Sequence, residues 1–186
     1  MADPLCGSGT IPIEAALIGL NMAPGLKRSF IAEEWERIPR KYWDEARQEA
    51  QDLMQKERKL EILASDIDGD VLSMARYHVD QAGLQDHIKL QKLPVSEFRS
   101  RKKYGCIITN PPYGERLGEA DEVKNLYQEM GKVFKSLDTW SIYILTAYPG
   151  FEQLFGRKAD KRRKLYNGRI ECQYYQYYGP RPPKRE

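Results

Sequence analysis

The sequence predicts an α/β fold, a mostly parallel sheet with helices on both faces that ends in an antiparallel hairpin. Three observations predict it. Short apolar runs (60–64, 88–93, 104–109 and 140–147) alternate with stretches of helical spacing, the order a parallel sheet with crossover helices requires. Polar residues stand where two of those runs stop, as Ser65-Asp66-Ile67-Asp68-Gly69 and as Asn110-Pro111-Pro112-Tyr113. Lastly, Asn167-Gly168 separates two alternating stretches, 162–166 and 171–178, which is a hairpin signal.

The chain opens on Asp3-Pro4-Leu5-Cys6-Gly7-Ser8-Gly9-Thr10, a loop before a helix expected over 11–20. Gly7 and Gly9 permit a tight turn and close approach to a ligand. The helix amides after them would face that ligand. The pattern is not GxGxxG and lacks the Lys-Ser/Thr of a phosphate-binding loop, so a plain turn and a cofactor loop both stay open. Such a loop normally follows a strand. Only Met1 and Ala2 precede Asp3, so the first strand is expected to be truncated, leaving a gap in the sheet.

Pro24-Gly25 marks a turn, with short helical turns over 29–35. Residues 42–57 set Trp43, Ala46, Ala50, Leu53 and Met54 at helical spacing, a surface helix whose charges form a solvated face. After the strand 60–64, Asp70 is placed to cap a helix carrying Val71, Leu72, Ala75, Val79 and Ala82 on one face. Gly83 stands where a helix-ending glycine belongs. Asp66, at a strand's carboxyl end, can accept hydrogen bonds from both hydroxyls of a ribose. Asp66 and Asp68 could instead form a turn or cap; the glycine loop upstream favours the ribose.

A strand over 88–93 leads to Pro94 and a helical turn at 95–98, then to the basic loop Arg101-Lys102-Lys103. The strand 104–109 stops at Asn110. The two prolines that follow lack an amide hydrogen and have locked φ, and the residue before each is pushed toward extended geometry. An amide side chain, a rigid turn and an aromatic ring are thus presented at the carboxyl end of a strand, the edge where open α/β sheets bind ligands. A long helix over 119–137 carries Val123, Leu126, Tyr127, Met130, Val133, Phe134 and Leu137 on one face. A strongly apolar strand (140–147), a short helix (151–155) and the hairpin complete the fold. Tyr174, Tyr175, Tyr177 and Tyr178 read as strand packing rather than a base-stacking platform. Lys158, Lys161, Arg162, Arg163 and Lys164 are the densest basic cluster, for which phosphate contact and a solvated edge both fit. Glu115 and Arg116 could touch substrate or pair with each other. We place a single domain over 1–178 and a loose basic tail over 179–186.

Composition narrows the class. At 186 residues the chain is long enough for a full core. Its net charge of +3 and pI of about 8.6 permit a nucleic-acid partner without demonstrating one. No run approaches the length of a membrane span, and no signal peptide opens the chain. Cys6, Cys106 and Cys172 form no CxxC pair, and with only two histidines no metal site is expected. A reducing, cytoplasmic setting is the default expectation.

The glycine loop, Asp66 and Asn110 to Tyr113 lie at three strand ends, and together they resemble the class I (Rossmann-like) methyltransferases that use S-adenosylmethionine (SAM). More closely, Asp-Pro-Leu-Cys-Gly-Ser-Gly-Thr-Ile-Pro-Ile-Glu-Ala-Ala (3–16), Ser-Asp-Ile-Asp (65–68), Asn-Pro-Pro-Tyr-Gly-Glu-Arg-Leu (110–117) and Lys-Leu-Tyr-Asn-Gly (164–168) resemble the bacterial 23S ribosomal RNA guanine-N2 methyltransferases. The resemblance covers nearly the whole chain. It implies an upstream RNA-binding THUMP region absent here, and so weak RNA affinity and little activity for this chain alone. It implies SAM as cofactor, with Asp3, Gly7 and Gly9 around its methionine part and Cys6 and Thr10 also among the cofactor-binding residues. Asp66 would hold the ribose and Ile67 the adenine face, and Asn110, Pro111 and Tyr113 would form the methyl-transfer site, with Asn110 also bordering the cofactor. One departure from the family pattern stands after the third strand. Gln91 to Ser96 contains no acidic residue for the adenine amino group, leaving the backbone or Ser96 to contact it.

The motif's chemistry suits any planar NH₂ group. Asn110 Oδ1 and the Pro111 carbonyl can each accept a hydrogen bond from it, turning the nitrogen lone pair toward a methyl donor. Two other readings therefore stand beside the RNA enzyme: an adenine-N6 DNA methyltransferase, and a SAM- and RNA-binding assembly factor without turnover.

Overall fold

The structure, a computed structural model, describes residues 1–114 and 120–183. Glu115, Arg116 and the last three tail residues lie outside the described residues. The elements run β1 (Ala2–Asp3), α1 (Thr10–Gly19), α2 (Arg40–Asp52), β2 (Ile62–Asp66), α3 (Gly69–Ala82), β3 (Ile88–Lys92), β4 (Cys106–Thr109), α4 (Ala120–Lys135), β5 (Ser141–Thr146), α5 (Phe151–Phe155), β6 (Lys161–Asn167) and β7 (Ile170–Tyr177). They form one sheet in the order β3-β2-β1-β4-β5-β7-β6. All pairings are parallel except those of β7, which is antiparallel to both β5 and β6.

The expected gap does not occur. β1 is only two residues long, yet it bonds β2 on one side and β4 on the other. The strand order runs outward from it both ways, so the topological switch point lies between β1 and β4. An open α/β sheet has its ligand crevice at that place.

Burial follows the alternation of the strands. Ile107, Ile142, Ile144, Tyr175 and Tyr177 are buried with Tyr127, Met130 and Phe134 of α4 and Phe151 and Phe155 of α5. On the β2–β3 side, Ile62, Ala64 and Ile88 pack with Ala16 of α1 and Leu72 and Val79 of α3. Tyr175 and Tyr177 are core residues, as expected for strand packing, while Tyr174 stacks on Tyr143 at 5.9 Å.

Four local expectations are corrected. Asp68, not Asp70, caps α3: its backbone is extended, and its Oδ1 accepts from the Asp70 and Val71 amides at 2.8 and 3.4 Å. Helix α2 ends at Asp52, five residues early, because Asn21 Nδ2 takes the Leu53 carbonyl and the Gln55 amide turns back to Leu20 O. Strand β4 starts at Cys106 because Tyr104 adopts φ +56°, left-handed backbone that no strand contains. The hairpin loop is Gly168-Arg169, one residue later than the dipeptide signal. Asn167 remains paired with Ile170, and Gly168 alone takes the positive φ (+61°). Gly83 ends α3 as expected, at φ +73°.

Candidate active site

The first turn of α1 begins at Gly9, which holds φ +84° with its α-hydrogen against Ala75; a Cβ there would meet Ala75 Cβ at 3.3 Å. Three bonds fix the loop before it. The Cys6 amide donates to Ser65 O (2.9 Å), the Gly9 amide to Cys6 O (2.9 Å), and His78 Nδ1 lies 3.0 Å from Ser8 O. No side chain caps α1, so its first amides have no side-chain acceptor. Gly7, at φ +53°, would project a Cβ into open space.

Asp66 ends β2 beside this loop. Its Oδ2 accepts from the Gly7 amide and its Oδ1 from the Asp68 amide, both at 3.0 Å. Each carboxylate oxygen keeps a second lone pair, so the turn-and-cap role and a ligand role are compatible. Ile67 beside it is 63% exposed, an apolar face at the strand end. Cys6 has a buried thiol whose pKa burial pushes up to about 12. Thr10 opens α1 with its hydroxyl 3.2 Å from that of Ser8. Ser96 is half-buried in a 3₁₀ turn (Val95–Glu97) that packs on α4, where its carbonyl accepts from Arg99. No described contact joins its hydroxyl to the glycine loop or to Asp66.

Asp3 ends β1 and is 1% exposed. Burial raises its carboxyl pKa from 3.8 to about 7; the Leu5 amide at 3.3 Å opposes this, as does the nearby Thr109 hydroxyl, which makes no hydrogen bond of good geometry. The folded state therefore binds a proton that the unfolded chain releases between about pH 4 and 7. Its stabilising contribution is complete below about pH 4 and is lost as pH rises through about 7. We expect a decline in unfolding free energy on the order of a few kcal/mol over that range. Urea denaturation from pH 4 to 8 should show it in the parent and not in Asp3→Asn.

Asn110, half-buried, follows β4 directly. Its Oδ1 accepts from the Tyr113 hydroxyl at 2.6 Å. That hydroxyl in turn accepts from Asn167 Nδ2 (3.3 Å) and the Cys172 thiol (3.6 Å), and burial pushes its pKa up to about 12. The hairpin thus reaches back to the motif. A second set of bonds holds the prolines. The Tyr127 hydroxyl donates to Pro112 O (2.7 Å) and lies 2.8 Å from Thr146 Oγ1, which accepts from the Tyr148 amide (3.0 Å). Tyr127 has a single hydroxyl hydrogen, so Thr146 must donate to it. This chain fixes the end of a turn whose proline φ angles are already locked, leaving the Pro111 carbonyl little freedom. Sequence reading placed Tyr127 as core only and assigned no role to Thr146, Asn167 or Cys172. Asn167 did carry a signal, as a polar residue at a hairpin turn.

Asp3, the glycine loop, Asp66 and the Asn110 motif therefore stand at the carboxyl ends of the adjacent strands β1, β2 and β4, with Ser96 set apart in its own turn. Among the described residues no group of three His, Cys, Asp or Glu side chains could hold a metal ion, and no helix is long and apolar enough to cross a membrane.

Residues 1–176 match the family described as UPF0020, RMKL-like, methyltransferase domain. The chain is 48% identical over 184 residues to the Bacillus subtilis (strain 168) protein called "Putative RNA methyltransferase YpsC". It is 37% identical over 175 residues to ribosomal RNA large subunit methyltransferase K/L of Legionella pneumophila (strain Corby). It covers 99% of itself but 48% of the first relative, and 93% of itself but 25% of the second. The crystal structure of SMU.472 complexed with SAH superposes with a TM-score of 0.94 at 46% identity, over 98% of this chain and 48% of that one.

Proposed function

The chain belongs to the RMKL-like methyltransferase domain family, and from that premise we propose that it transfers the methyl group of SAM to the exocyclic N2 amine of a guanine in 23S ribosomal RNA. The observation that carries this reading is the position of Asn110: an amide oxygen on a braced turn at the end of β4, next to β1, the switch-point strand that leads into the glycine loop. The relatives named for large-subunit ribosomal RNA support the choice of substrate.

The residues fit the cofactor. Open space over Gly7, the uncapped start of α1, the spare lone pairs of Asp66 and the exposed Ile67 provide what the methionine, ribose and adenine parts need. Bound SAM would supply a methyl group made electrophilic by its sulfonium. Asp3, held near neutrality by burial, would ionise when the methionine ammonium lies beside it. Asn110 Oδ1 and the Pro111 carbonyl would accept the two hydrogens of the guanine amine, directing the nitrogen lone pair along the line of transfer. Tyr113, tethered through its hydroxyl, would offer its ring face to the base, a contact worth roughly 1–3 kcal/mol. A base inside a duplex would have to be flipped to reach this crevice.

The test is transfer of labelled methyl from SAM to stripped large-subunit ribosomal RNA, with DNA and peptide release factor as parallel acceptors. We expect label in RNA, on guanine N2 after nuclease digestion. Label in DNA or in peptide release factor with none in RNA would overturn the proposal.

A further inference from the structure

The four consecutive cations of β6 are divided between the two sides of the sheet. Arg162 and Lys164 share a side with Tyr175, the side that packs on α5, and both are ion-paired: Arg162 with Glu152 at 3.3 Å and Lys164 with Glu171 at 2.6 Å. Lys161 and Arg163 point to the other side, as do Leu165 and Asn167, by the two-residue period of a strand. Neither makes an ion pair or side-chain hydrogen bond among the described residues, and every residue of β6 is exposed. Asn167 on this same side bonds the Tyr113 hydroxyl, and Cys172, opposite Leu165, does so too. One face of the hairpin therefore leads from the Asn110 motif, past Leu165, to two cations that make no ion pair among the described residues. At about 3.3 Å per residue, Arg163 lies roughly 13 Å along the strand from Asn167.

Charge on an edge strand also discourages strand-on-strand pairing between molecules. That explains why β6 is basic, but it does not explain why the cations on the α5 side have acidic partners while, among the described residues, those on the Asn167 side have none. We infer that this face of the β6–β7 hairpin is a contact surface for the RNA strand flanking the target nucleotide, with Arg163 and Lys161 on its phosphates and Asn167 at the target. The inference rests on the RNA reading above and adds to it the path of the substrate. The cations supply affinity and register rather than chemistry.

The experiment compares the parent with the double variants Lys161→Ala/Arg163→Ala and Arg162→Ala/Lys164→Ala. The probe is a fluorescein-labelled single-stranded RNA from the large subunit, with a DNA duplex of matching sequence as a second arm, titrated across a range of salt. All four side chains are exposed, so the fold should tolerate both pairs; SAM affinity checks this. For the first pair we expect RNA binding weakened roughly tenfold and the log K against log salt slope reduced by about 1.4, two single-strand phosphate contacts at about 0.7 each. For the second pair the slope should stay near the parental value. Equal losses from both pairs, or none from the first, would overturn the contact surface while leaving the methyltransferase reading standing. Parental binding to the DNA duplex but not to RNA would overturn the substrate reading itself.

Discussion

Replacing Asn110 by alanine should lower kcat by about 10²- to 10³-fold, the range seen when one preorganised hydrogen-bonding group is removed from a transition state. The amine to be methylated is a poor nucleophile because its lone pair is delocalised into the ring. In the proposed mechanism Asn110 Oδ1 would hold one of its hydrogens in the geometry that frees that pair, an interaction that strengthens as the nitrogen becomes tetrahedral. The loss should therefore appear in kcat, with SAM affinity changed less than about tenfold. The alanine variant also releases the Tyr113 hydroxyl, bound to Asn110 at 2.6 Å. Asn110→Asp separates the two effects, since a carboxylate keeps both the acceptor and the Tyr113 bond and should retain more activity than alanine. Single-turnover methylation with labelled SAM is the measurement. An alanine variant with a third or more of the parental rate would remove Asn110 from the mechanism.

Asp66→Ala should weaken SAM binding by about 10- to 100-fold, as expected for loss of hydrogen bonds to a charged acceptor worth about 1.5–3 kcal/mol. Two causes combine. The ribose hydroxyls lose their acceptor, and the Gly7 amide, clamped by Asp66 Oδ2 at 3.0 Å, loses the bond that shapes the loop. Asp66→Asn keeps the outline and one acceptor oxygen and should fall between. Calorimetric titration with SAM reads the affinity directly. An unchanged dissociation constant in Asp66→Ala would sink the ribose assignment.

The parts of the site that follow from local rules were legible in the chain. Asp66 and Asn110 each stand at the end of an apolar run, and a strand end in a parallel sheet is a ligand edge whatever its neighbours are. Gly7 and Gly9 were legible as turn residues because left-handed backbone favours glycine, and both take positive φ. The α3 cap was misplaced by two residues because Asp66, Asp68 and Asp70 are chemically equivalent candidates. The backbone direction at Asp68, not its composition, decides which one accepts the free amides.

What the sequence alone determined about this protein was its α/β class, the order of its elements, and the residue types waiting at each strand end. Spacing and backbone chemistry act over a few residues, so they can be read from a few residues. The tertiary structure decided which of those ends meet. It set β1 between β2 and β4, so that two residues suffice to place Asp3 at the switch point. It brought Asn167 to Tyr113 across 54 positions and Tyr127 to Pro112 across 15. It also assigned the cations of β6 to opposite sides, two beside acids and two on the side that carries Asn167. These contacts depend on strand order and on helix packing over the whole sheet. No local pattern encodes them, because the energy that selects them comes from burying all of the core at once.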